Sequence, residues 1–103
     1  MKNHYSPALV AKIKRVLPDI AKVISAEGER LLFDDDKSVR EKLNLSPLGS
    51  YIRVKHLSYG NSLFCEFENN GIFSVERMSL VVLDYLKDYI ERLRLAGKRQ
   101  IWY

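Results

Sequence analysis

The chain has 103 residues, 47% of them hydrophobic and 29% charged, and seventeen Lys or Arg against thirteen Asp or Glu leave a net charge of +4. That length supports one core and one domain, residues 1–103, and the composition is that of an ordinary globular protein rather than a disordered or fibrous one. A single cysteine excludes an internal disulfide framework, and no apolar run reaches the ~20 residues of a membrane helix, so a cytoplasmic protein with no membrane partner is expected.

The opening MKNHYSPALVAKIKR has no uninterrupted apolar segment and does not read as a signal peptide. Ser6-Pro7 is a helix start, an N-cap followed by proline at the first helical position. Leu9, Ile13, Val16, Leu17, Ile20, Val23 and Ile24 then keep one helical face as far as Glu27-Gly28. Pro18 removes one hydrogen bond without shifting that phase, which predicts a single helix kinked at Pro18. Leu31-Leu32-Phe33 reads as an apolar connector. Asp34-Asp35-Asp36 is better explained as a cap for the next helix, through Asp35 or Asp36, than as a metal site, because calcium loops alternate their ligands and turn on a glycine. A short second helix, KSVREKLNL, carries Val39 and Leu43 inward, and Asn44 suits its left-handed end.

Residues 47–57 read equally as strand and as helix. Tyr51, Ile52 and Val54 are β-formers, and Gly60-Asn61 suits a hairpin turn. Alternatively Ser46 caps a helix that begins at Pro47 and turns Tyr51, Val54 and Leu57 inward. In Leu63–Glu68 the alternation places Leu63, Cys65 and Phe67 on one side, and Asn69-Asn70-Gly71 supplies a tight turn into Ile72-Phe73. A β-hairpin over 62–74 is therefore expected, with Cys65 buried. The last element is the most sharply patterned: Val75, Met78, Val82, Leu83, Tyr85, Leu86, Tyr89, Ile90 and Leu93 share one apolar arc. Ser74 caps that helix, residues 75–96, and Gly97 ends it. Leu80, Val81 and Leu95 lie off the arc and, with Trp102 and Tyr103 of the tail, form a candidate partner or dimer surface. The fold class expected from all this is α+β.

The run Val39-Arg40-Glu41-Lys42-Leu43-Asn44-Leu45-Ser46-Pro47, followed by Tyr51-Ile52-Arg53-Val54-Lys55-His56-Leu57, resembles the helix-turn-helix of winged-helix regulators of the leucine-responsive type. The likeness covers under a quarter of the chain. It implies a non-enzymatic transcriptional regulator that binds duplex DNA. Leu48, Ile52, Arg53, Lys55 and His56 would face the major groove, Ser46 would meet a phosphate, and the 62–74 hairpin would be the wing. The long C-terminal helix would pair with its copy. The alternative is a protein-binding inhibitor, immunity or antitoxin-like module with two helices, a three-stranded meander and a final helix, recognising a protein partner through Tyr51, Tyr59 and Trp102.

The charge distribution fits either function. Residues 1–33 carry six basic side chains against three acids, and residues 58–83 one against three. No phosphate-binding glycine loop, metal-ligand pair or nucleophile motif is present, so neither catalysis nor a metal or other cofactor is expected.

Overall fold

Each of the six helices that a computed structural model describes within residues 5–99 begins on a side-chain oxygen that accepts a backbone N–H. Ser6, Ser25, Asp36, Ser46, Asn61 and Ser74 receive the N–H groups of Leu9, Gly28, Ser38, Leu48, Leu63 and Arg77. Each cap satisfies one of the donors that a helix start leaves open. The helices are α1 (Pro7–Val23), α2 (Ala26–Leu32), α3 (Lys37–Asn44), α4 (Pro47–His56), α5 (Ser62–Asn69) and α6 (Val75–Leu95).

The expected α+β class is therefore wrong: among the described residues there is no strand, and both the 62–74 hairpin and the three-stranded alternative are overturned. In residues 62–69 the inward set is Leu63, Phe64 and Phe67, a helical spacing, while Cys65 is exposed rather than buried. A six-residue apolar–acidic segment satisfies both periods, and packing chose the helical one. Asn70-Gly71 ends this helix instead of turning a hairpin. Gly71 takes φ +82°, and Ile72 N–H donates to the Phe67 carbonyl at 3.0 Å, the bond that closes a Schellman cap. Gly97 closes α6 with the same bond, from Lys98 N–H to the Leu93 carbonyl.

Two further expectations change. The N-terminal helix runs unbroken through Pro18 but stops at Val23, where Ser25 starts α2 across Leu31 and Leu32. Asn44 does not adopt a left-handed end. It remains helical and turns its amide into the interior. Asp36, in contrast, caps α3 as expected.

The core is built on α1 and α6. Leu9, Ile13, Leu17 and Ile20 bury the inner face of α1, and Met78, Val82, Leu83, Leu86 and Ile90 that of α6. α5 packs on α1 and adds Leu63, Phe64 and Phe67 to the core, to which α3, α4 and the cap of α4 add Leu43, Ile52 and Leu57. Complete burial of one such aliphatic side chain contributes about 1.5–3 kcal/mol.

One charge lies inside this apolar body. Glu29 of α2 is fully buried, and each of its oxygens accepts two hydrogen bonds from one guanidinium. Arg94 reaches Oε2 at 2.7 and 3.2 Å, and Arg99 reaches Oε1 at 2.7 and 3.0 Å. Burial pushes the carboxyl pKa up more strongly than any single contact acts on it, but the two arginines together outweigh burial and hold it below the ordinary glutamate value. The Arg94 guanidinium also stacks 3.9 Å from the centre of the Phe33 ring. The cluster fastens α2 to the far end of α6.

α3 and α4 meet over the linking residues Leu45 and Ser46 at very short range. A Cβ added at Gly49 would overlap the Asn44 carbonyl, so the first turn of α4 approaches the end of α3 as closely as only glycine allows. Alanine is favoured over glycine in a helix interior by roughly 1 kcal/mol. Gly49→Ala should nonetheless destabilise the protein by roughly 1–3 kcal/mol, the cost of overpacking, in a urea denaturation series. An unchanged or higher midpoint would mean that the two helices can separate freely at this point.

Candidate functional site

α4 forms because Ser46 and Pro47 start it, and its last turn carries Arg53, Lys55 and His56, cations suited to the negative end of a helix. The six residues expected to read DNA do not form one outward face. Ser46 is occupied as a cap. Leu48 is half-buried and Ile52 fully buried. Arg53 turns inward, where one Nη1 donates to the Asn44 carbonyl at 2.9 Å and to Ser79 Oγ at 3.1 Å. The Ser79 hydroxyl donates to Asn44 Oδ1 at 2.6 Å, and the Asn44 amide to the Glu76 carbonyl at 2.9 Å. Arg53 is thus the centre of a polar junction joining α3, α4 and α6. Position alone suggested an exposed cation, since no sequence signal pairs residue 53 with residues 44 and 79.

Lys55 and His56 meet on Asp19 of α1. His56 Nε2 lies 2.8 Å from Asp19 Oδ2, and because a carboxylate only accepts, that nitrogen carries the proton. The Tyr51 hydroxyl donates to the same oxygen at 2.8 Å and accepts from Lys55 Nζ at 3.1 Å, and Lys55 also reaches Oδ1 at 3.3 Å. Bonds from His56 and then Tyr51 hold the Asp19 carboxyl at about 2, well below its ordinary value, with partial burial opposing them. Among the described residues no hydroxyl or thiol completes this aspartate–histidine pair as a nucleophile would. Around it, Lys14, Arg15 and Lys22 project from the exposed side of α1, and Arg15 and Lys22 stand one turn either side of Asp19. Only Lys55 and His56 of the expected set are brought together, and both face a carboxylate of the same chain.

Next to this cluster lies a groove that was not expected. It occupies about 380 Å³ between the end of α1, α2 and the α3–α4 junction, and Val23, Leu31, Leu43, Pro47, Leu48 and Tyr51 line it. The break after Val23 creates it. A serine at position 25 followed by Glu27 and Glu29 is a helix-start signal that the continuing apolar phase of α1 concealed. Tyr51 joins the two features, its ring on the groove and its hydroxyl on Asp19.

The proposed partner surface on α6 is not one patch. Leu80 and Val81 are half-buried, whereas Leu95 is 83% exposed and stands about 21 Å further along the axis at 1.5 Å per residue. Trp102 and Tyr103 lie outside the described residues. Tyr59, in the α4–α5 connection, is 90% exposed. Among the described residues no cluster of three His, Cys, Asp or Glu side chains is placed to hold a metal ion, and no helix is long and apolar enough to cross a membrane. No protein-family model matches the chain, nor does any curated protein or solved structure.

The Asp19 cluster sets a pH dependence. Its folded pKa is depressed from 3.8 to about 2, so the stability it contributes is present above about pH 4 and is lost as pH falls through about 2. Asp19→Asn should lower stability at neutral pH and shrink the loss between pH 4 and 2. Urea midpoints measured across that range check it, and equal acid sensitivity in both proteins would remove Asp19 from the account.

Proposed function

We propose that the chain is a non-enzymatic protein-binding module, of the inhibitor, immunity or antitoxin kind, that receives an apolar-faced segment of a partner protein in the groove between α1, α2 and α4. The observation that carries this reading is the pairing of two facts. The side chains suited to nucleic acid on α4 are committed to Asn44, Ser79 and Asp19, while the apolar wall beside them stays open. Val23, at the lip, is 46% exposed although Leu9, Ile13, Leu17 and Ile20 on the same helix face are buried. An open concave apolar surface with a few polar groups at its edge is the usual form of a binding site.

Duplex-DNA binding is the second reading, and two features favour it. α3 and α4 are joined by the short Leu45-Ser46 link with Gly49 at the close approach, and Lys14, Arg15 and Lys22 present cations on α1. Its contacts would be to phosphates, through those side chains and Lys55, rather than to base edges through Arg53.

Amide spectra of the protein titrated separately with a leucine-faced, uncharged amphipathic peptide and with a short duplex DNA distinguish the two. The expected result is saturable shifts at Val23, Leu31, Leu48 and Tyr51 with the peptide. Shifts confined to Lys14, Arg15, Lys22 and Lys55, produced by DNA alone at about 50 mM salt, would replace the protein-binding reading with the DNA one. No response to either ligand would remove both.

A further inference from the structure

We propose that Asn70 is a site of spontaneous deamidation, a reaction with water, which the fold holds shut and local opening releases. The chain has five asparagines, Asn3, Asn44, Asn61, Asn69 and Asn70, and only Asn70 precedes a glycine. The reaction begins when the backbone nitrogen of the next residue attacks the side-chain Cγ. A C–N bond closes a five-membered succinimide ring, and the side-chain nitrogen leaves as ammonia. Water then opens the ring at either carbonyl and leaves aspartate or isoaspartate. Glycine presents the least hindered nitrogen because no Cβ stands beside it. Gly71 is exposed, so water has access.

The folded chain opposes each part of this step. Asn70 Oδ1 accepts the Ser6 N–H at 2.9 Å, and Nδ2 donates to the Glu66 carbonyl at 2.9 Å and to Ser6 Oγ at 3.1 Å. A backbone donor on one side and a backbone carbonyl on the other fix which end of the amide is oxygen. The attacking atom is engaged as well, since Gly71 N–H donates to the Glu68 carbonyl at 2.9 Å. With ψ of Asn70 at 12°, the Gly71 nitrogen nearly eclipses the Asn70 nitrogen and is turned well away from Cβ. Closing the ring requires rotation about that bond, which pulls Ile72 N–H from the Phe67 carbonyl and undoes the helix cap. Reaction therefore waits for the end of α5 to open.

The same amide ties the end of α5 to the start of α1, 64 positions away. Either product replaces the Nδ2 donor with an oxygen, which the Glu66 carbonyl repels. Isoaspartate also inserts a methylene into the backbone ahead of Gly71. A chain that has opened and reacted therefore refolds with α1 less firmly joined to α5.

The test incubates the full chain in mildly alkaline buffer, folded and in urea. Mass spectrometry follows the replacement of NH2 by OH in the peptide that spans residue 70. Modification at Asn70 should proceed at least about tenfold faster in urea. Ser6→Ala removes one acceptor of the amide and should raise the folded rate several-fold. Ser25→Ala removes the equivalent cap from α2 and should leave that rate nearly unchanged, with folding of both variants checked by circular dichroism. Once modified and returned from urea, the chain should show a lower urea midpoint than the unmodified one. No reaction at Asn70 in urea overturns the site. Equal rates with and without urea overturn its protection by the fold, and equal effects of the two serine changes overturn the role of the Asn70 contacts. An unchanged midpoint overturns the link between α1 and α5.

Discussion

The junction of Asn44, Arg53 and Ser79 governs how the second half of the molecule is arranged. A buried amide and a buried hydroxyl must be paired, because each left unsatisfied costs about 1–3 kcal/mol. The guanidinium of Arg53 donates to the Asn44 carbonyl and to Ser79 Oγ, while the Ser79 hydroxyl donates to Asn44 Oδ1. The position of Arg53 then fixes the rotation of α4. Ile52 goes into the core, Gly49 lies under the Asn44 carbonyl, and the opposite edge of the helix carries Ser50 and Val54 to solvent. The same rotation carries His56, Lys55 and Tyr51 to Asp19 and leaves the Tyr51 ring on the groove.

The site thus arises between two polar attachments rather than from a dedicated motif. Arg53 holds α4 to α3 and α6, and Asp19 holds its other side to α1. The Glu29 cluster holds α2 in place on the opposite wall. Three helices fixed in this way cannot collapse onto one another, and the space among their apolar side chains remains.

Much of the fold was legible where a helix combined a cap, an uninterrupted 3.6-residue pattern and a stop. α6 follows its sequence pattern from Ser74 to Gly97, and α3 starts at Asp36. Legibility failed where two periods fitted one short segment. Leu63-Phe64-Cys65-Glu66-Phe67-Glu68 satisfies alternation through Leu63, Cys65 and Phe67, and helical spacing through Leu63, Phe64 and Phe67, and nothing within six residues arbitrates. Asn70-Gly71 serves a hairpin and a helix cap equally well, so the turn signal reinforced the wrong choice. In the site, Ser46 and Pro47 correctly marked a helix as one of two alternatives, but the direction of Arg53 depends on partners at positions 44 and 79. Glu29 was invisible for the same reason, its arginines lying 65 and 70 residues away.

The inward turn of the arginines also determines how the molecule meets charged matter. Of the eight in the chain, Arg40, Arg53, Arg94 and Arg99 are largely covered, and Arg30 and Arg92 are paired with acids on their own helices. The net charge of +4 still attracts acidic surfaces from a distance, since covered charges contribute to the far field as exposed ones do. At contact the available cations are mostly lysine ammonium groups, compact point charges without the planar fork that grips a carboxylate or phosphate in one orientation. Such point charges steer an approach without fixing a pose, so orientation at contact falls to the shape of the uncharged surface.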